Sequence, residues 1–482
     1  MARSDIGLRS ERGPVLLAVM VATGVVAIDA TVLSTAVPSI VSELGGFQLF
    51  PWLFSVYLLV QAVTTPLYSK FADMVGRKPI ILIGIGIFLV ASILCGFAWD
   101  MTSLIAFRAL QGLGAGAIGP MTITIIGDIY TLKERARVQG YVASVWAVAA
   151  VLGPTLGGLF AQFGLWRGIF FINIPLCLVA GWLLWRDFHE SFERRRHKID
   201  YAGAALMTVS FTLLILGILE GGHAWAWNSP TSIAIFAIGT VLLVAFFFVE
   251  SRAAEPVLPL WVFTRRILSS TSLVGLMVGV VTIGLTAFVP TYLIGALGVT
   301  PLVAGLALAT LTIGWPIAAS LSGRLYLRIG FRATSVIGAV LVVAGTASLA
   351  LLAGSPSVLL VAIVSFVIGA GLGFSAVTTL VAAQSSVGWE ERGVVTGVQM
   401  FSRSIGQAIG AAVLGAIANG VILSMGGDET QPPVIINATQ AVFIGAAVVA
   451  VVLLIGTLLV PGHARQVERE LPETGPIETA PG

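Results

Sequence analysis

The sequence predicts an all-α membrane protein of fourteen transmembrane helices, and three observations carry that reading. Of 482 residues, 57% are hydrophobic and only 10% charged, where a soluble domain carries about 25% charged residues. The mean hydropathy is +0.99, and only an apolar solvent accepts that much exposed apolar surface. Turns and charges divide the chain into fourteen apolar segments, each long enough to cross a bilayer at ~1.5 Å rise per residue. Finally, the basic residues sit in alternate connections, the pattern that orients membrane helices.

The segments follow in order. The first, 14–38, succeeds a short polar start, MARSDIGLRSERG. No small-residue cleavage site follows it, so it reads as a retained span and not a signal peptide. Spans 50–70 and 79–99 flank the loop SKFADMVGRK. Spans 102–127 and 138–162 flank a loop carrying Lys133, Arg135 and Arg137, and 166–185 completes the first six. Spans 201–221 and 231–250 contain the uncharged stretches 201–219 and 231–249, too apolar for surface helices. The last six are 267–294, 302–323, 333–353, 357–384, 394–423 and 437–460. With the N-terminus assigned to the cytoplasm, 23 of the 26 Lys and Arg residues fall on the cytoplasmic side. Arg167 alone faces outward, and Arg108 and Arg403 lie inside spans. Both termini are therefore expected in the cytoplasm.

The chain repeats itself. SKFADMVGRK (69–78) and GRLYLRIGFR (323–332) each place Gly seven residues, and a basic residue nine, after the first position. The Gly-rich stretches QGLGAGAIGP (111–120) and IGAGLGF (368–374) match more loosely. We expect a six-span bundle over 1–190, a two-span hairpin with its linkers over 191–262, and a second six-span bundle with a tail over 263–482. Parallel repeats of this kind place a substrate site at their interface near the midplane.

Several functions are excluded. The runs of basic residues, Arg194-Arg195-Arg196 among them, are explained by orientation, and no nucleic-acid partner is expected. None of the four lysines follows a Gly, so there is no phosphate-binding loop for ATP. Cys95 and Cys177 lie in apolar runs and form no metal motif; they read as small hydrophobes. No histidine lies at mid-membrane to build a hydrolytic triad, and no charged ring or filter marks a channel. An enzyme is not expected, nor any metal or cofactor beyond the proton gradient.

The motifs resemble the major facilitator superfamily, and within it the 14-span drug:proton antiporters. The loop motif G-x-L-a-D-r-x-G-r-k is met by Asp73, Gly76, Arg77 and Lys78, with Ser69, Phe71 and Met74 departing from it. R-x-x-q-G in span 4 is met by Arg108, Gln111 and Gly112. The antiporter motif of span 5 is met by Gly140, Gly153, Pro154, Gly157 and Gly158, with Ala149 replacing its second Gly. IDATVLSTAVP, WRGIFFINIP (166–175), GGHAWAWNSP (221–230), EPVLPLWVF (255–263) and RGVVTGVQMFSRSIGQAIG (392–410) are similar to phrases of the subfamily. The resemblance implies two six-helix bundles with a two-helix insertion, working by alternating access. It implies a cytoplasmic gate at Asp73, Gly76, Arg77 and Lys78, the Asp facing a helix start of the other half near Gly393. It implies a leak-tight seal at Gly153, Pro154, Gly157 and Gly158.

Charges inside the membrane are few, and each costs at least ~3 kcal/mol at the bilayer centre unless paired. Asp29 in span 1, Arg108 in span 4 and Arg403 in span 13 are the candidates. An Asp29–Arg403 bridge would latch the two halves, and protonating Asp29 would release it. The alternative pairs Asp29 with Arg108 as a strut inside one half. Tyr57 and Gln61, one helical turn apart, together with Gln111, Trp146 and Glu220, are candidates for the substrate cavity; Glu220 also reads as a solvated helix end and His223 as a surface residue. The expected protein is a monomeric proton-coupled antiporter of the cytoplasmic membrane. It would export small hydrophobic or amphipathic compounds, cationic ones among the candidates, with protons and the lipid bilayer as its other partners. The alternatives are an exporter of one metabolite, antibiotic or lipid, and a non-pumping membrane sensor.

Overall fold

The computed structural model describes residues 7–8, 10–46, 49–130, 132–190, 200–222, 224–253, 256–354, 357–388, 391–426 and 431–461. Among them, fourteen helices are long and apolar enough to cross a membrane. In order, the helices are α1 (Gly13–Leu44), α2 (Phe50–Val75), α3 (Arg77–Gly96), α4 (Met101–Ile129), α5 (Leu132–Gln162), α6 (Gly168–Phe171), α7 (Asn173–Asp187), α8 (Tyr201–Glu220) and α9 (Pro230–Glu250). They continue with α10 (Trp261–Thr264), α11 (Arg266–Leu297), α12 (Pro301–Ile329), α13 (Phe331–Leu352), α14 (Val358–Ser385), α15 (Arg392–Ser424) and α16 (Pro432–Leu459). The sixth span, expected as one helix, is interrupted at Ile172 into α6 and α7.

Local chemistry sets the ends. Asp100 caps α4: its carboxylate accepts from Ser103 N at 2.6 Å, and Ser103 Oγ accepts from Asp100 N at 3.2 Å, a reciprocal capping box. Pro14, Pro230 and Pro301 stand in the first turns of α1, α9 and α12, where no backbone N–H is needed. Gly76 and Gly330, the shared glycines of the two repeated loops, adopt φ +100° and +88°. Each ends one helix and begins the next in a conformation that only Gly adopts without strain.

The repeat extends to packing. In the first set of spans α1 packs on α5 and α7, and α4 packs on α2 and α3. The last set matches it: α11 packs on α15 and α16, and α14 on α12 and α13. The sets meet along two equivalent seams, α2 with α15 and α5 with α12. The hairpin α8–α9 lies against the first seam, with α8 touching both α2 and α15. Ile233, Ile238, Val241, Val244 and Phe248 of α9 remain exposed, as a lipid-facing helix requires.

One face of the bundle, the basic face, holds the Lys/Arg-rich connections, and the far face is its opposite. On the far face the two sets are closed on each other. A Cβ at Gly158 of α5 would stand 2.9 Å from the Leu302 backbone of α12. A Cβ at Gly305 of α12 would stand 2.7 Å from Pro154. The rings of Phe50 and Phe288 meet edge-on at 6.1 Å, and Ser55 Oγ reaches the Ala408 carbonyl at 3.5 Å.

Candidate functional site

The intramembrane acid is fully enclosed. Asp29, 1% exposed on α1, accepts from Arg108 Nη1 at 2.7 Å through Oδ2. Its Oδ1 accepts from Gln111 Nε2 at 2.8 Å and Asn173 Nδ2 at 3.1 Å. Arg108 also donates to Gln111 Oε1 at 2.6 Å and to the Leu53 carbonyl at 3.1 Å, with its guanidinium 4.2 Å from the centre of the Tyr57 ring. Gln111 and Asn173 both donate to Ser92 Oγ, at 3.0 and 3.4 Å. Five helices of the first set, α1, α2, α3, α4 and α7, thus converge on one carboxylate. Each charge is matched, and the remaining lone pairs are filled by neutral donors, the condition under which a buried ion pair survives.

The expected bridge from Asp29 to Arg403 is not the pair formed; the partner is Arg108, within the same set. The physical reason is depth and rotation. Asp29 stands at the middle of α1 and Arg108 in the far-face half of α4, and Gly112 lets the α4 backbone close on the Tyr57 carbonyl of α2. That contact seats Arg108 against the centre of the bundle. Arg403 is half-buried on α15, its guanidinium 5.5 Å from the centre of the Trp315 ring of α12.

The cavity candidates separate. Gln111 and Tyr57 are buried in the Asp29 network. The Tyr57 hydroxyl has no hydrogen-bond partner among the described residues. Gln61 and Trp146 are half-buried. Glu220, at the far end of α8, accepts from Trp52 Nε1 at 2.8 Å and so ties the hairpin to α2. Asn173 and Ser92 were missed because a lone neutral polar residue in an apolar run carries no signature. Asn173 stands at the only break in its span and within the phrase WRGIFFINIP, the two cues that could have found it. His223 and the Asp73 side chain fall outside the described residues, as does anything of Gly393 beyond its helical backbone.

At the basic face, the turn of Gly76, Arg77 and Lys78 is clamped by residues of its own set. Glu190 accepts from the backbone N–H of Arg77 at 2.8 Å and of Lys78 at 3.2 Å, placing a carboxylate on the N-terminus of α3. Arg77 Nε lies 3.2 Å from Asp128 Oδ2, and Lys78 Nζ donates to the Trp185 carbonyl at 2.7 Å. Glu190 had no part in the sequence reading, since it is distant in the chain and belongs to no motif.

The span 5 motif faces two ways. Gly153 and Gly157 meet Thr31 and Thr35 of α1, whose hydroxyls donate to the Ala149 carbonyl at 3.0 Å and the Pro154 carbonyl at 3.3 Å. Gly158 and Pro154 face Leu302 and Gly305 across the seam. The kink that Pro154 imposes is therefore held by α1 on one side and packed against α12 on the other.

A family model described as Major Facilitator Superfamily matches residues 19–411. The chain is 34% identical over 419 residues to the multidrug transporter protein MdtP of Bacillus subtilis, covering 87% of this chain and 77% of that protein. It is 31% identical over 395 residues to multidrug resistance protein 3 of the same organism, covering 82% and 77%. Among solved structures, the human organic anion transporter MFSD10 (TETRAN) superposes with a TM-score of 0.61 at 14% identity, covering 94% of this chain and 99% of that one, a likeness of fold.

Proposed function

The chain belongs to the Major Facilitator Superfamily, and from that premise we propose that it is a proton-coupled antiporter exporting hydrophobic or amphipathic compounds. Its place is the cytoplasmic membrane, with the basic face inward. The single observation that carries this reading is the enclosed Asp29 carboxylate, pinned by Arg108, Gln111 and Asn173 inside the membrane. Relatives named for multidrug transport and resistance support export of chemically varied compounds.

The coupling follows from the contacts. A proton on Asp29 cancels the charge that Arg108 answers and removes acceptor capacity from one oxygen. The α1 contacts to α4 and α7 then weaken together. The same helix, six residues or ~9 Å along its axis, carries Thr35, which lies between Pro154 of α5 and Gly305 of α12. A shift of α1 is thereby delivered to the far seam. Proton occupancy at Asp29 biases which face is closed, the differential interaction that alternating access requires.

The test is transport in proteoliposomes under an imposed pH gradient, read with amphipathic dyes and a trapped pH indicator. Wild type is expected to accumulate dye against its gradient while moving protons the opposite way. Asp29→Asn is expected to lose gradient-driven accumulation but still to equilibrate dye. Full accumulation by Asp29→Asn would remove the proposed coupling site.

A further inference from the structure

With Asp29 and Arg108 matched to each other, Arg403 is the remaining intramembrane charge. Among the described residues it has no acid and no hydrogen-bond partner; its one contact of note is the Trp315 indole. A charge left so within a membrane protein marks a path for solute, because the cost of holding it must be met by a solute or by water. Its place on α15 fits. One face of the helix, Val398, Phe401, Ile405, Ala408 and Ala412, is buried in the apolar cluster with α2 and α8. Arg403 belongs to a different stripe with Thr396, Met400 and Gln407, at spacings of four, three and four residues, all half-buried. The Gln407 side chain likewise has no hydrogen-bond partner among the described residues. α15 and α12 form no extended packing contact, so the reach of Arg403 to Trp315 crosses the interior of the second set.

We propose that Arg403, Gln407 and Trp315 form a binding site for the carboxylate of an amphipathic organic anion, and that such anions are the preferred exported class. Guanidinium and amide, one turn apart, supply donors matched to a carboxylate. The indole and the Met400 thioether supply an adaptable apolar wall for the body of the ligand. The sign of the charge decides the class. No unmatched intramembrane acid is left among the described residues to attract a cation, whereas Arg403 repels one. On this proposal the site selects anions among the hydrophobic and amphipathic compounds expected from the sequence. The inference rests on the export reading for its direction of transport, but not for binding.

The test is equilibrium binding to the full chain in nanodiscs with no gradient, by fluorescence polarisation. Two dyes share a xanthene frame and differ in charge: fluorescein, an anion carrying a carboxylate, and rhodamine 123, a cation. Wild type is expected to bind fluorescein more tightly than rhodamine 123. Arg403→Ala is expected to weaken fluorescein by about tenfold or more, the loss of one charge-assisted contact, and to leave rhodamine 123 unchanged or improved. Arg403→Lys keeps the charge without the planar fork and is expected to fall between. Trp315→Ala is expected to weaken both dyes. Should the alanine variant not fold, Arg403→Gln takes its place. Absence of saturable fluorescein binding to wild type, preference for rhodamine 123, or fluorescein affinity indifferent to Arg403 overturns the proposal. A failure of proton-driven transport with this binding pattern intact removes the antiport reading alone.

Discussion

Removing one member of a buried ion pair leaves the other charge unanswered, and the Asp29 network makes that measurable. Arg108→Ala strands the Asp29 carboxylate with two neutral donors and is expected to destabilise the protein by about 3–5 kcal/mol. The double variant Asp29→Asn/Arg108→Ala is expected to recover most of that loss, because no ion remains; thermal unfolding in detergent reads both. Equal destabilisation by the single and double variants would mean that Arg108 acts through packing on Tyr57. The charged members of this network were visible in the sequence, since an Asp and two Arg in otherwise apolar spans stand out. The choice between Arg108 and Arg403 depends on helix rotation and depth, which hydropathy does not encode. Ser92 and Asn173 complete the cage without being charged; nothing around Ser92 separates it from an ordinary membrane polar residue, and Asn173 is set apart only by the break beside it and by its place in WRGIFFINIP.

Helices and their joints were more legible than their contacts. The two loop glycines were found by spacing alone, and both adopt the positive φ that such a turn needs. Their environments differ in a way that only coordinates reveal. A Cβ at Gly330 would meet nothing within 4 Å, whereas one at Gly76 would stand 2.8 Å from Glu190 Oε2. Gly330→Ala is expected to cost only the backbone strain, about 1–3 kcal/mol. Gly76→Ala is expected to cost more, because it also displaces the carboxylate that holds the start of α3; unfolding midpoints of the two variants compare them directly. In span 5 the sequence marked Gly153, Pro154, Gly157 and Gly158 as one motif. The structure divides it between a grip on α1 and a seam with α12. Gly158→Leu is expected to force the Leu302 backbone away and part the far face. Spin labels at Phe163 and Thr300, exposed where α5 ends and α12 begins, would report a longer distance than in wild type. An unchanged distance would place the seal elsewhere.

At the scale of the molecule, the inserted hairpin is the element that the repeat does not explain. The seams α2–α15 and α5–α12 are equivalent in packing, yet among the described residues the hairpin lies against the first alone. α8 touches helices from both sets, so when the sets rock against each other it cannot keep both contacts. The hydrogen bond from Trp52 Nε1 to Glu220 decides which contact is kept. It fixes the far end of α8 to α2 by a polar contact, whereas against α15 the far end offers apolar contact such as Leu219 near Gly415. Apolar surfaces slide at little cost because they are not directional, while a buried polar pair resists separation. The hairpin is therefore expected to travel with the first set. A bifunctional thiol reagent joining Cys residues placed at Trp52 and Glu220 is expected to leave transport in proteoliposomes largely intact. The same reagent joining Leu219→Cys to Gly415→Cys is expected to abolish it, because α8 then holds the two sets in one relation. The native Cys95 and Cys177 are buried and unpaired, so the introduced thiols carry the reaction. If the first cross-link stops transport and the second spares it, the hairpin moves with the second set instead, and the Trp52–Glu220 contact is one that breaks in each cycle.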